Sequence, residues 1–205
     1  LSSGSNAIIV KGDLNIAKGV NYNLNSSAAL RIGRTLTVDG NFNLSTGAQS
    51  NIIYVSGDLV CKGLLTESGS GAPVVECSGS TLQHIDISGA IQQSVALSIN
   101  NASGAALLHP LQLVYKLLLK KGKLVTGSQN LLTLSAGAAL VCDSLNADTY
   151  IEGPLQKLGL SAAAFCFPVG KSGSLRWLRL RSATGDFTVE FFRGDPRSLS
   201  AATDS

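Results

Sequence analysis

The chain has no methionine and one tryptophan, and aromatic residues make up only 5% of it. A core cannot rest on large rings here, so Leu, Ile, Val and Ala must build it. Charged residues are also scarce, at 14%, while apolar residues reach 44%, a balance that excludes a disordered chain. A net charge of +3 is too weak to imply nucleic acid. None of the four cysteines, at 61, 77, 142 and 166, forms a Cys-x-x-Cys pair, which argues against a zinc site. No apolar run reaches the roughly 20 residues needed to span a bilayer; the best stretch, 105–119, is broken by His109, Pro110 and Lys116. Lacking Met, Leu1 is not a natural start, and the chain reads as a piece of a longer one whose signal peptide would already be lost.

What is abundant is glycine, 22 residues, together with Ser, Thr and Asn. A phrase recurs with variations: Gly12-Asp13-Leu14-Asn15-Ile16, Gly40-Asn41-Phe42-Asn43-Leu44, Gly57-Asp58-Leu59-Val60-Cys61 and Gly122-Lys123-Leu124-Val125. Each is a turn residue followed by alternating apolar and polar positions. One such strand cannot bury its apolar face alone, but a stack can. The spacing predicts an all-β chain with an irregular, right-handed parallel β-helix over residues 1–147. Apolar-x-Gly anchors at Val10, Val38, Val55 and Cys77, separated by 28, 17 and 22 residues, predict turns of unequal length. The Leu-rich stretch 111–119 reads as strand because Pro110 stands at its entry. Asn21, Asn23, Asn25, Asn41, Asn43 and Asn51 suit amide bonding from turn to turn. Cys61 and Cys77, 16 residues apart, could stack; inward-facing, unbonded thiols are the simpler reading. The loops at 45–51, 66–73 and 89–94 are the places where turn length varies.

Near residue 148 the pattern changes. Five of the six Phe and the only Trp lie beyond it, in Phe165-Cys166-Phe167, Trp177-Leu178-Arg179-Leu180 and Phe187-Thr188-Val189-Glu190-Phe191-Phe192. Residues 148–205 are therefore expected to form antiparallel strands, either the incomplete start of a β-sandwich-like module or a cap over the solenoid end.

The order Leu97-Ser98-Ile99-Asn100-Asn101, Gly122-Lys123-Leu124-Val125-Thr126-Gly127, Tyr150-Ile151-Glu152-Gly153-Pro154-Leu155, Phe167-Pro168-Val169-Gly170-Lys171 and Phe187-Thr188-Val189-Glu190-Phe191 resembles a module of large secreted and surface proteins of Bacteroidetes, many of which use type IX secretion. The resemblance covers roughly residues 95–195. It implies an extracellular or cell-surface location and an adhesin-like or scaffold role, and it carries over no catalytic residue.

The residues that could do chemistry are few. His84 shares a strand face with Asp86, a pair that could orient an imidazole, but no Ser or Cys nucleophile accompanies it. Asp13, Asp39, Asp58 and Asp86 fall in or near successive turns, where Asp bonds backbone N–H groups; their convergence in one groove would instead favour a carbohydrate-acting enzyme. Lys116, Lys120, Lys121 and Lys123, and Arg176, Arg179 and Arg181, read as solvated faces. Arg193-Gly194-Asp195 reads as a turn before Pro196. No catalytic, cofactor-binding or metal-ligating residue is assigned, and no cofactor is expected. The expected function is that of a non-enzymatic structural or adhesive segment, with surface glycans or neighbouring subunits as partners and neither nucleic acid nor a membrane span. The alternatives are a polysaccharide-acting β-helix enzyme and a self-assembling filament, to which the Gly-Asp-Leu phrases add a resemblance to bactofilin-type polymers.

Overall fold

A computed structural model of the chain describes residues 7–142 and 148–194. The described residues form strands and no helix. Three short strands joined by corners make one turn. The first turn holds β1 (Ile8–Val10), β2 (Leu14–Ile16) and β3 (Asn21–Asn23); the second, β4 (Leu30–Ile32), β5 (Leu36–Val38) and β6 (Asn41–Asn43). The third holds β7 (Ile52–Val55), β8 (Leu59–Cys61) and β9 (Leu64–Thr66); the fourth, β10 (Val74–Cys77), β11 (Gln83–Ile87) and β12 (Ala90–Ile91). The fifth holds β13 (Ala96–Asn100), β14 (Ala105–Leu107) and β15 (Leu111–Leu113); the sixth, β16 (Lys116–Lys121), β17 (Leu124–Val125) and β18 (Leu132–Leu134). The seventh holds β19 (Ala139–Cys142), β20 (Ile151–Glu152) and β21 (Leu155–Ser161), and β22 (Phe165–Lys171), β23 (Ser174–Leu180) and β24 (Thr184–Val189) follow.

First strands stack in parallel into one sheet, from β1 to β19, and second strands into another, from β2 to β20 and on to β22 and β23. Third strands form two shorter sheets, β3 to β12 and β15 to β24. The result is a parallel β-solenoid of about seven turns.

The core follows from period-two alternation. On the first sheet Leu30, Ile53, Val75, Leu97 and Leu117 stack in register, as do Ile32, Val55, Cys77, Ile99 and Leu119. All ten are almost wholly buried. Cys61 lies in the second sheet between Val38 and Ile87, so Cys61 and Cys77 belong to different sheets and do not stack. Both are buried free thiols, and burial raises their pKa from 9.0 to about 11 and about 12.

The turns are more regular than the spacing of the glycine phrases suggests. Along the column from Val10 through Ile32, Val55, Cys77, Ile99 and Leu119 to Cys142, successive residues stand 20 to 23 apart. Val38 breaks the count because it belongs to the second sheet. Gly12 and Gly57 open strands of the second sheet, whereas Gly40 opens a strand of the third. Glycine recurs at both corners because backbones stack there in contact. A Cβ on Gly63 would meet the Gly40 carbonyl oxygen at 1.9 Å, and one on Gly89 the Gly63 oxygen at 2.0 Å.

Parallel stacking continues past residue 148 into β20 and β21, which pair with β17 and β18. β22 adds in parallel to β20; β23 then folds back antiparallel on β22, and β24 pairs antiparallel with β21. Four of the late phenylalanines lie over this end of the core, whereas Trp177 and Phe192 face outward and are exposed. Phe167 is fully buried, Phe165 meets it edge-on at 4.8 Å, and Phe187 and Phe191 pack against the cluster.

Candidate functional site

Two of the three sequence-marked loops, 45–51 and 66–73, lie where third strands lead to the next turn; the third, 89–94, contains β12 itself, and the three stack on one another. Ser68 N–H donates to the Ser45 carbonyl (2.9 Å), Ser70 N–H to the Gly47 carbonyl (3.0 Å), and Ser94 N–H to Glu67 Oε1 (3.4 Å). Asn23 and Asn43 stand in register, but the asparagine bonds run elsewhere: Asn43 Nδ2 to Ser68 Oγ (2.7 Å), Asn51 Nδ2 to the Ser26 carbonyl (2.5 Å), and Thr46 Oγ1 to Asn25 Oδ1. These loops extend the solenoid sideways instead of standing free around a ligand.

Polar chemistry concentrates on the opposite edge, in two adjoining grooves that share Gly33. The first, about 560 Å³, is a trough on the outer face of the first sheet. One wall is the outward column Ile9, Arg31, Tyr54 and Glu76, one residue per turn. Beside it run the residues two places further along each strand: Lys11, Gly33, Ser56, Ser78 and Asn100. The Arg31 guanidinium lies over the Tyr54 ring, 4.1 Å from its centroid. Glu76 closes the far end. Its Oε2 accepts from Ser98 Oγ and Lys120 Nζ, both at 3.0 Å, and its Oε1 from Asn100 Nδ2 at 2.9 Å. A bulge between β13 and β16 frees Lys120 from the ladder, so that it reaches back two turns. Burial pushes the Glu76 carboxyl up, but the bonds from Asn100, Lys120 and Ser98 and the Lys120 charge outweigh it and hold its pKa below the ordinary value.

The second groove runs along the corner between first and second sheets and is lined by Asp13, Arg34, Thr35, Asp58 and His84 among others. Asp13 Oδ1 accepts the Thr35 N–H (2.9 Å), and Asp58 Oδ1 accepts the His84 N–H (2.7 Å). Each aspartate thus ties its turn to the next, an inter-turn version of the turn bonding the sequence suggests. His84 Nδ1 lies 3.5 Å from Asp58, and Asp86 pairs with His109 Nδ1 at 2.8 Å. In place of the His84–Asp86 pair that the sequence allows, there are two pairs, each joining neighbouring turns.

Of the four aspartates, Asp13 and Asp58 share a groove, Asp86 faces His109, and Asp39 lies at another corner between Lys18 and Lys62. Asp13 and Asp58 stand two turns apart, about 10 Å along the axis, with Arg34 between them. Their side chains are 58% and 43% exposed, unlike a general acid held in an apolar pocket. Lys123 and Glu152 bond at 2.5 Å, which raises the lysine pKa and lowers that of the carboxyl. Among the described residues no group of three or more His, Cys, Asp and Glu is placed to hold a metal ion, and no helix is long and apolar enough to cross a membrane. Asp195 of the Arg193-Gly194-Asp195 turn lies outside the described residues.

The trough escaped sequence reading because its residues come from separate turns. Knowing the turn length would have aligned Arg31, Tyr54 and Glu76. No protein-family model, no curated protein and no solved structure matches the chain.

Proposed function

We propose that the chain is a non-enzymatic structural and adhesive segment of a secreted or cell-surface bacterial protein. The observation that carries this reading is the use made of its acidic side chains. Asp13, Asp58 and Glu76 each bond a neighbouring turn, and so act as rungs along the axis. A solenoid stitched in this way offers length, stiffness and a long lateral face. The resemblance of residues 95–195 to surface modules of Bacteroidetes supports the extracellular setting and export by type IX secretion.

Binding of the purified protein to glycan arrays and whole bacterial or host cells, with turnover followed on the same polysaccharides, tests the reading. Saturable binding without turnover is expected. Turnover would overturn it in favour of an enzyme, a second reading to which the shared groove of Asp13, Asp58 and His84 lends support. Absence of both would remove the adhesive part and leave a scaffold. Filament formation is disfavoured at one end, where the edge strand β23 carries Arg176 and Arg179. Sedimentation velocity is expected to give a single small species.

A further inference from the structure

The trough on the first sheet holds two cations that no described carboxylate neutralises. Glu76 is matched by Lys120 at 3.0 Å. Among the described residues, neither Arg31 nor Lys11 has a carboxylate within ion-pair distance. Arg31 lies on β4, and Lys11 directly follows the adjacent β1, since Ile9 pairs with Arg31 and Lys11 is two residues beyond Ile9. The Arg31 guanidinium is stacked over the Tyr54 ring, and among the described residues no hydrogen bond takes up its N–H groups, which suit a planar or tetrahedral oxyanion.

The rest of the trough is built for hydroxyl groups. Ser56 and Ser78 follow one another at the strand spacing of about 4.8 Å, and Asn100 continues their row. The Ser56 and Ser78 backbone N–H groups already bond the Ile32 and Val55 carbonyls, so this row of the trough has no free ladder to offer a peptide laid along it. Recognition must pass through side-chain hydroxyl, amide and guanidinium groups, in a line parallel to the axis. That pattern fits an extended polyol bearing negative charge.

We propose that this trough binds an acidic saccharide lying along the solenoid, with Arg31 and Lys11 on its carboxylate or sulfate group and Ser56, Ser78 and Asn100 on its hydroxyls. The proposal rests on the adhesive reading and names its ligand class and its face.

Calorimetric titration of the whole chain with oligogalacturonate, a heparin-derived oligosaccharide, a neutral cello-oligosaccharide and poly-glutamate tests it. At least one acidic saccharide is expected to bind, more weakly as salt rises, and the neutral one is not. The two acidic probes separate carboxylate from sulfate as the favoured anion. Arg31→Ala should weaken binding about tenfold or more and Arg31→Lys less, because lysine keeps the charge and loses only the bidentate fork. Lys11→Ala should weaken it several-fold, while Lys62→Ala, at a distant corner, should leave it unchanged. Arg31, Lys11 and Lys62 are exposed, so these variants should fold. Binding untouched by Arg31→Ala and Lys11→Ala would overturn the proposal, as would poly-glutamate binding as tightly as the saccharides. Neutral glycans bound elsewhere would overturn it and leave the adhesive reading standing. No glycan binding and no cell binding would overturn both.

Discussion

Glu76 and Lys157 are both charged and nearly buried, and the solenoid treats them in opposite ways. Glu76 points outward from the first sheet and is covered by side chains from two later turns, which supply three donors and a counter-charge. Lys157 points inward, in the column of Leu113 and Leu134, where the parallel stack gives way to antiparallel strands. Its ammonium meets the carbonyls of Ser135 (2.5 Å), Ala136 (2.6 Å) and Leu158 (3.3 Å), with the Phe165 ring 5.7 Å away. No ion pair joins it to a carboxylate among the described residues. The outward charge is held by a matched network. The inward one closes off carbonyls at the end of the core, with desolvation working against it.

If this contrast is right, Glu76→Ala is the more damaging change. It leaves Ser98, Asn100 and Lys120 without their shared acceptor and should cost about 3 kcal/mol, softened because Lys120 can reach water. Urea denaturation would read this as a lower midpoint at unchanged slope. Lys157→Met should cost only about 1 kcal/mol, since the lost carbonyl bonds are offset by removal of the buried charge. Equal losses for the two variants would break the comparison.

Dependence on pH sharpens it further. The Glu76 carboxyl has a folded pKa below its ordinary value of 4.5. Its stabilisation is therefore present above pH 4.5 and lost as pH falls through the folded pKa, and Glu76→Gln should flatten that acid loss. Burial holds the Lys157 pKa below 10.5, so the unfolded chain binds its proton more tightly. Stability from this group should rise as pH climbs from the folded pKa towards 10.5. The buried thiols act in the other direction above pH 9.0, because Cys61 and Cys77 have raised pKa values. The lysine effect is thus the difference between wild type and Lys157→Met across the alkaline range. No difference would remove desolvation from the account.

A gain of stability is expected at Glu67, buried in line with Leu44 on the preceding turn, with Oε2 unpartnered. Glu67→Leu should extend the apolar column and stabilise the fold by about 1 kcal/mol, visible as a higher Tm. A loss of stability would mean that the Ser94 N–H bond matters more than the unmatched oxygen.

Strands were the legible part of the fold. Leu30-Arg31-Ile32 and Leu36-Thr37-Val38 alternate so clearly that their buried faces follow from the residues alone. The 111–119 stretch was legible as strand through Pro110, and Cys61 and Cys77 as inward thiols through their place among apolar neighbours. The phase of the turns was not. Glycine recurs at both kinds of corner, so Gly40 and Gly57 look alike in sequence although they open strands of different sheets. Without that phase, His84 could be matched only to Asp86 two residues away. Its neighbour is Asp58, 26 residues earlier.

The sequence by itself determined that this chain is all-β, stacked and cored by small aliphatic side chains, because alternation and glycine spacing act over a few residues. Only the tertiary structure decided which residues meet across turns: Arg31 with Tyr54, Glu76 with Lys120, and Asp13 with the Thr35 N–H. A solenoid's lateral surface is made one residue per turn, so its chemistry depends on the register of strands 20 or more residues apart. That register comes from corner geometry and core packing summed over whole turns.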